Sequence, residues 1–557
     1  MSNKSLNKIR VGLLLDSYEI PAWAYLMIKE IISSDYAKIC LTVINSSHEL
    51  KSKENGNLIK KIIRNQKDLC YFGYRIFEKK RYVPKFDLFE IKNCKDLLQD
   101  SDEIIISPIQ KKFSDTIQDD DVKKIEEYDL GVLIRLGFRI LKGKILNSAK
   151  FGVWSYHNGD NQINRGGPAG FWEVVENIPY TGIILQILDE DLDNGKIIYK
   201  SFTSTDPLYV NRNQNNLYWK NVLIIPRKLK ELQRLGKKEF IINVEKYNSS
   251  LNFYDQKLYK QPTNRETIRI MLKHVQKYLK IKFFEKRNFE QWGLLFDLRD
   301  GISQSLWRFK RIIPPKDRFF AEPFVVEKEN QYFIFIEEFF YNSNKGRISL
   351  ITMNSEGKYS KPTPIIEKPY HLSYPNIFEY NGTFYMIPES SQNNTIEIYK
   401  CKNFPFEWEF STTIMDDIKS LDNTLFNKDG KWWLFSSIPF LGASPNDELS
   451  LFYSNNPLSK EWTAHPHNPI VSDVRKARSG GKIFEYNGSI YRPSQDCSGG
   501  YGRGLIFNKI NELNEFQFKE SRIGSVYPNW DKKITGIHTF AWEKQLTVFD
   551  ARIIRNK

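Results

Sequence analysis

Two rhythms of hydrophobic and polar positions divide this chain. In the first third, unbroken apolar runs alternate with stretches spaced for helices. Ile9–Leu15 is a continuous apolar run, and Pro21 then leads into Ala22–Ile32 at helical spacing. Proline suits a first helical turn, where its missing N–H has no partner to lose. Residues 39–44, 103–106, 129–136 and 151–156 read as further buried strands, with a helix over 122–127. Apolar strands separated by helices predict a parallel sheet covered on both faces, a Rossmann-like α/β domain. Ligands of such sheets bind beyond the carboxyl ends of the strands. No Gly-x-Gly-x-x-Gly follows the first strand, so a dinucleotide is not expected.

From Trp292 onward the rhythm is that of β-structure, and one phrase recurs. Ile377-Phe378-Glu379-Tyr380-Asn381-Gly382-Thr383-Phe384-Tyr385 is nearly repeated from Ile483 to Tyr491, and again around Asp429-Gly430. Residues 324–336 and 540–549 are degenerate copies. Asn-Gly and Asp-Gly between aromatic-rich strands mark two-residue hairpins. Five copies at a spacing of roughly 50 residues match one propeller blade each. The reading is an all-β five-bladed propeller, with residues 292–310 helping to close the ring. Between the two regions, residues 213–235 read as a helix that Pro226 should kink or divide. Residues 266–281 read as an amphipathic bridging helix. The expected domains are 1–240, a linker over 241–290, and 291–557.

Composition narrows this only a little. The chain has 557 residues, 41% hydrophobic and 27% charged. It shows no apolar run long enough to span a bilayer and no secretory leader, so a cytoplasmic location is expected. Five scattered cysteines form no disulfide framework or zinc motif, and no metal is expected. The net charge of +15 is spread out, with one basic concentration over residues 273–287. That face suits solvent, phosphate or an anionic lipid surface, and peripheral membrane contact stays open. Nucleic-acid binding would rest on charge alone and is not expected.

The candidate chemistry of the first domain centres on His157, at a strand's carboxyl end, and Asp193 in a Leu-Asp-Asn-Gly loop. An imidazole with a pKa near 6.5 can take and return a proton, and a carboxylate can orient it. Residues 8–235 resemble the folate-dependent formyltransferase family through His157, Asp193, Arg165-Gly166-Gly167-Pro168 and Thr181-Gly182. That resemblance implies N10-formyltetrahydrofolate as formyl donor. Leu136, Gly137 and Phe138 would then hold the pterin, together with a second loop of Asp189, Glu190, Asp191 and Leu192. Ser155 stands where the family has Asn, as a short oxyanion donor. The family's Ser-Leu-Leu-Pro after the histidine is replaced by Asn158-Gly159-Asp160-Asn161. Asp160 and Arg165 are candidate substrate contacts.

In the propeller, the residues opening each inner strand should face the central cavity. These include Glu322, Asp422, Arg478 and His538, and further along come Glu338, Glu389, Arg492, Gln495, Asp496 and Asp550. Carboxylates with Arg, His and aromatics suit sugar hydroxyls. The pattern resembles the five-bladed fold of furanosidase-type glycosidases. Through Arg478-Ser479-Gly480-Gly481 and Arg492-Pro493-Ser494-Gln495-Asp496 it is similar to the N-terminal propeller of glucosamine inositolphosphorylceramide transferases. Taken together, these features lead to an expectation of N-formylation of an amino sugar, nucleotide-, lipid- or glycan-linked, in surface polysaccharide synthesis. Two alternatives stand beside it. One is a degenerate formyltransferase fold that binds glycans. The other is a propeller glycosidase using Glu322, Asp422 or Glu389.

Overall fold

In the computed structural model, residues 8–47, 68–191, 195–250 and 253–557 are described. They fall into two compact units, Met1–Gln276 and Lys277–Lys557.

The first unit is built on strands β1 (Ile9–Leu15), β2 (Ala37–Asn45), β3 (Asp102–Ile106), β4 (Val132–Arg135), β5 (Val153–His157), β6 (Tyr180–Ile187) and β7 (Lys196–Ser204). Their order across one sheet is β7-β6-β5-β4-β1-β2-β3. The five strands from β5 to β3 are parallel, and β6 and β7 are added antiparallel. Helix α1 (Ala22–Ile32) lies between β1 and β2, α2 (Leu69–Arg81) between β2 and β3, and α3 (Asp119–Glu126) between β3 and β4. One face buries Val11, Leu13, Trp154 and Leu185 under Met27, Ile28, Leu217 and Ile225. The other buries Leu14, Leu133 and Val153 under Val122 and Ile125. Apolar packing on both faces explains why these strands read as unbroken hydrophobic runs.

Helix α4 (Val210–Tyr247) runs straight through Pro226 and breaks instead at Gly236, whose φ of 73° no helix accommodates. The kink expected at the proline is therefore displaced. Glycine reaches positive φ without a Cβ clash, so Gly236 is where the chain turns out of the helix at least cost. Helix α5 (Asn264–Arg287) opens on a capping box: the Glu266 carboxylate accepts from Thr263 N–H at 2.8 Å, and Glu266 N–H faces the Thr263 hydroxyl at 3.4 Å.

The second unit is an all-β propeller of five antiparallel sheets. The inner pairs are β9 (Arg318–Lys328) with β10 (Gln331–Phe340), β11 (Ser373–Tyr380) with β12 (Thr383–Glu389), and β13 (Leu421–Lys428) with β14 (Lys431–Ser437). The fourth blade carries β15 (Ser489–Asp496). The ring closes where β8 (Asn288–Leu298) pairs along its whole length with β17 (Leu546–Asn556), which also pairs with β16 (Phe540–Glu543). The Asn381-Gly382, Asp429-Gly430 and Asn487-Gly488 turns all have positive φ at both residues, as a tight hairpin turn requires. Glu329-Asn330 does the same without glycine.

Candidate functional site

Three blades share a device that aims side chains inward. Each inner strand carries a bulge, between Ala321 and Phe324, Ser373 and Asn376, and Leu421 and Thr424. At each bulge a non-glycine residue adopts the left-handed conformation: Glu322 (φ 53°), Tyr374 (φ 46°) and Asp422 (φ 50°). Left-handed backbone costs about 1–3 kcal/mol in such residues and persists only where the surroundings enforce it. Proline at 323 and 375 helps, because it disfavours right-handed helical backbone in the residue before it.

The enforcement comes from carboxylates. Asp550 accepts the Glu322 N–H at 2.9 Å, Glu322 accepts the Tyr374 N–H at 2.7 Å, and Glu389 accepts the Asp422 N–H at 3.2 Å. Each acid thus satisfies a buried amide in an adjoining blade. Asp550 also accepts the N–H groups of His538 and Thr539, and the His538 Nδ1 lies 2.7 Å from its carboxylate.

Inside this frame lies a cavity of about 250 Å³, the scale of a single sugar ring. Trp292, Phe319, Phe339 and Tyr501 form apolar walls, and Glu322, Glu337, Glu389, Arg478, His371 and His538 supply the polar ones. Trp292 lies against the His538 ring with centroids 4.1 Å apart, and Arg478 stacks on Tyr501 at 4.9 Å. Flat aromatic faces beside hydrogen-bonding groups suit the apolar face and hydroxyls of a pyranose or furanose.

The polar groups fall into distinct protonation classes. Burial opposes charge on His538, but Asp550 and Glu322 outweigh it and hold the imidazole up at about 9. His371 has no such support, and burial drops it to about 4. Burial first, then the charge of Asp422, pushes Glu389 up to about 8. Glu337 is raised well above the usual carboxylate range by burial, and then by Glu322 and Glu389. It stands apart from the frame acids. Its carboxyl Oε1 lies 3.5 Å from His371 Nε2, and among the described residues no hydrogen bond of the carboxylate frame reaches it. The cavity therefore sets acids pushed toward their neutral form beside acids that lie against Arg478 and His538, the separation of roles that acid–base chemistry uses.

Of the residues singled out in the sequence, Glu322, Glu389, Arg478 and His538 meet in this cavity. Asp422 does not line it but grips Arg478 from beneath, and Gln495 bonds Asp422 at 2.9 Å and the Ser479 carbonyl at 2.8 Å. Arg492 lies outside it, buried against Glu520 and the Lys476 carbonyl. Asp496 accepts from Ser498 and Tyr527. Glu338 points to the opposite face of β10, where it binds Arg318, Arg347 and Ser349. The residue that reaches the cavity is its neighbour Glu337, which the sequence reading missed. The signal was present: counted from the hairpin turn, Glu337 occupies the same place in its blade as Glu389.

In the first unit the described members of the expected site are engaged by other partners. Ser155 is buried, and its hydroxyl takes a hydrogen bond from Arg135 Nε at 3.0 Å, so it is engaged by the neighbouring strand. Arg135 also bonds the Phe138 and Arg139 carbonyls. Asp160 is tied to Lys200 at 2.8 Å, and both side chains are buried. Arg165 bonds the Asn161 carbonyl and stacks on Tyr254. Leu136 and Gly137 donate backbone N–H groups to the Leu14 carbonyl, and Phe138 N–H bonds Asp16. His157 Nε2 lies 3.5 Å from the Asn164 carbonyl.

The register of the sheet then separates the two halves of the expected folate site. His157 pairs with Ile184, and Trp154 with Ile187, so β6 leaves the sheet at the end remote from His157. Asp189 and Glu190 line a larger cavity there, about 630 Å³, with Gly152 and Phe240. Asp191 is exposed beside them in sequence. Leu192 and Asp193 lie outside the described residues. This larger cavity lies at the end of the sheet remote from His157, so size alone does not make it the expected site.

Comparison with known proteins points the same way. Residues 313–546 match the family described as glucosamine inositolphosphorylceramide transferase 1, N-terminal. The rice (Oryza sativa subsp. japonica) protein named glucosamine inositolphosphorylceramide transferase 1 is 36% identical over 206 residues, 36% of this chain and 27% of the relative. The Arabidopsis thaliana protein of that name is 33% identical over 209 residues, 37% of this chain and 27% of the relative. The match thus spans about a quarter of the length of these relatives. Among solved structures, a family 117 glycoside hydrolase of Zobellia galactanivorans pairs at 10% identity and TM-score 0.32, over 47% of this chain and 90% of its own. An α-L-arabinanase of Cellvibrio cellulosa pairs at 12% identity and TM-score 0.30, over 36% and 77%. Scores this low carry no functional argument, and the propeller rests on its own sheet topology. The family match and the rice and Arabidopsis relatives, with the engaged Ser155 and Asp160, overturn the expectation of a folate-dependent formyltransferase acting on an amino sugar with N10-formyltetrahydrofolate as donor.

Proposed function

We propose that the propeller is a glycan-processing module whose central cavity binds a terminal sugar and cleaves its glycosidic bond. The observation that carries this is Glu337, a carboxyl that burial and neighbouring acids push toward its protonated form, at the wall of a sugar-sized cavity and outside the hydrogen-bonded frame. In this reading Glu337 donates its proton to the glycosidic oxygen as the C–O bond breaks. Water adds to the anomeric carbon and gives a proton to Glu322, whose Oε1 faces the His538 imidazolium at 3.5 Å. Glu389, Arg478 and the aromatic walls hold the ring. Buried carboxyls outnumber cations here, which favours hydroxyl or amine groups over phosphate. The relatives' names join glucosamine to a ceramide-based lipid, and we take the sugar of a glycolipid as the substrate class.

A second reading, sugar recognition without cleavage, is favoured by the frame itself, in which Glu322 and Glu389 already accept amide hydrogens. One experiment separates the two. The protein is incubated with chromogenic glycosides and with glycosylated sphingolipids, and released sugar is measured for wild type and Glu337→Gln. Release by the wild type and its loss in the variant supports cleavage. Retained sugar binding with no release by either protein establishes recognition alone.

A further inference from the structure

Helices α2 and α5 pack side by side in the first unit. Tyr74 OH lies 3.2 Å from His274 Nδ1, Cys70 N–H bonds Asn264 at 2.8 Å, and Ile270 is buried with Tyr71 and Tyr74. Their outer faces are apolar. Leu272 and Val275 of α5 are 58% and 55% exposed, and Ile76 and Phe77 of α2 are 58% and 60% exposed. Ile268 and Met271 complete the α5 stripe at helical spacing. Leaving such large side chains in water over two adjacent helices is costly and marks an interaction surface.

The charges beside the stripe identify what covers it. Within the first unit, α5 carries Arg265, Arg269 and Lys273 against Glu266 alone. Helix α2 ends on Lys79, Lys80 and Arg81, and its one acid, Glu78, is buried against the backbone of α4. A second copy docked on this face would set basic flank against basic flank. Apolar side chains flanked by cations are instead the pattern of a helix lying in the headgroup region of an anionic bilayer. Among the described residues no helix is long and apolar enough to cross a membrane, so the contact would be peripheral.

We infer that α2 and the adjoining part of α5 form a docking surface for an anionic lipid bilayer, with Ile76, Phe77, Leu272 and Val275 entering the interface. This stands whether or not the propeller cleaves sugars.

The test is co-sedimentation of the full chain with phosphatidylcholine vesicles, alone or with 30 mol% (about one third) phosphatidylserine. Binding to the mixed vesicles should be at least about tenfold tighter, and weaker at high salt. Leu272→Glu with Val275→Glu should abolish it, while a melting temperature within about 2 °C of wild type shows the fold intact. Phe77→Asp, on the other helix, should weaken it independently. Equal affinity for both vesicles, or no loss in a folded variant, overturns the proposal. A stable dimer in solution that Leu272→Glu dissociates would also overturn it, since the stripe would then be a protein interface.

Discussion

Arg478 holds Asp422 through both carboxylate oxygens, with Nε 2.6 Å from one and Nη2 3.1 Å from the other. Asp422 is fully buried and occupies a left-handed position, so the fork fixes charge and backbone together. Arg478→Met should leave that carboxylate without its cation, at a cost of about 3–5 kcal/mol. Arg478→Lys should recover part of the loss, since it restores charge but not the two-point geometry. Denaturant unfolding of the three proteins measures both steps.

Glu337 and Glu338 are neighbours with opposite roles, because successive residues of a strand face opposite sides. Glu338→Gln should lower stability by about 2–3 kcal/mol, since it weakens bonds to Arg318, Arg347 and Ser349, and should leave sugar affinity unchanged. Glu337→Gln should leave the melting temperature near wild type and abolish sugar release. If both variants lose activity in proportion to stability, the assignment of Glu337 to the cavity chemistry is wrong.

The cavity's response to pH follows from its protonated acids. Glu389 is raised to about 8, so the proton it carries at neutral pH is lost as pH rises through that value. Glu337, raised beside it, is deprotonated in the same direction. Sugar release should hold through neutrality and fall toward alkaline pH as the proton donor is lost. A rate that rises toward alkaline pH would mean that no acid of this cluster donates the proton.

Glu173 offers a test in the first unit. Burial, more than any charge, lifts its carboxyl to about 7 in the folded chain, against about 4.3 when unfolded. The folded state then binds the proton more tightly. Its contribution is fully present below the unfolded value and is lost as pH rises through about 7. At pH 8 the ionised group should cost up to about 3 kcal/mol relative to a neutral one. Glu173→Gln should therefore flatten the stability profile between pH 4.5 and 7 and stabilise the protein at pH 8, as read from chemical unfolding across that range.

Much of the architecture was legible because it is written in repeated or continuous patterns. The buried strands of the first unit announce themselves as apolar runs, and the Asn-Gly and Asp-Gly turns recur with the blades. What was hidden depends on contacts between distant residues. Helix α2 carries Gly73 and five aromatic or β-branched residues, a composition that gives no clean helical signal. The break at Gly236 rather than Pro226 is decided by backbone dihedrals. Ser155 looks available until Arg135 is placed across from it in the sheet. Glu338 and Glu337 are not told apart by sequence, because a one-residue slip along a strand exchanges inside for outside, and only the pairing of β9 with β10 fixes which is which.

The pairing of β8 with β17 also sets an order of events. Trp292 arrives on the first strand of the propeller and His538 on the segment just before the last pair, yet their rings are in contact in the finished cavity. As the chain leaves the ribosome, four blades can form while this wall is still missing. A nascent or C-terminally clipped propeller would therefore carry Trp292 and Glu322 without the His538 imidazolium and the Asp550 carboxylate that face them. The cavity wall would then be completed in a single step, late in synthesis, when the ring joins.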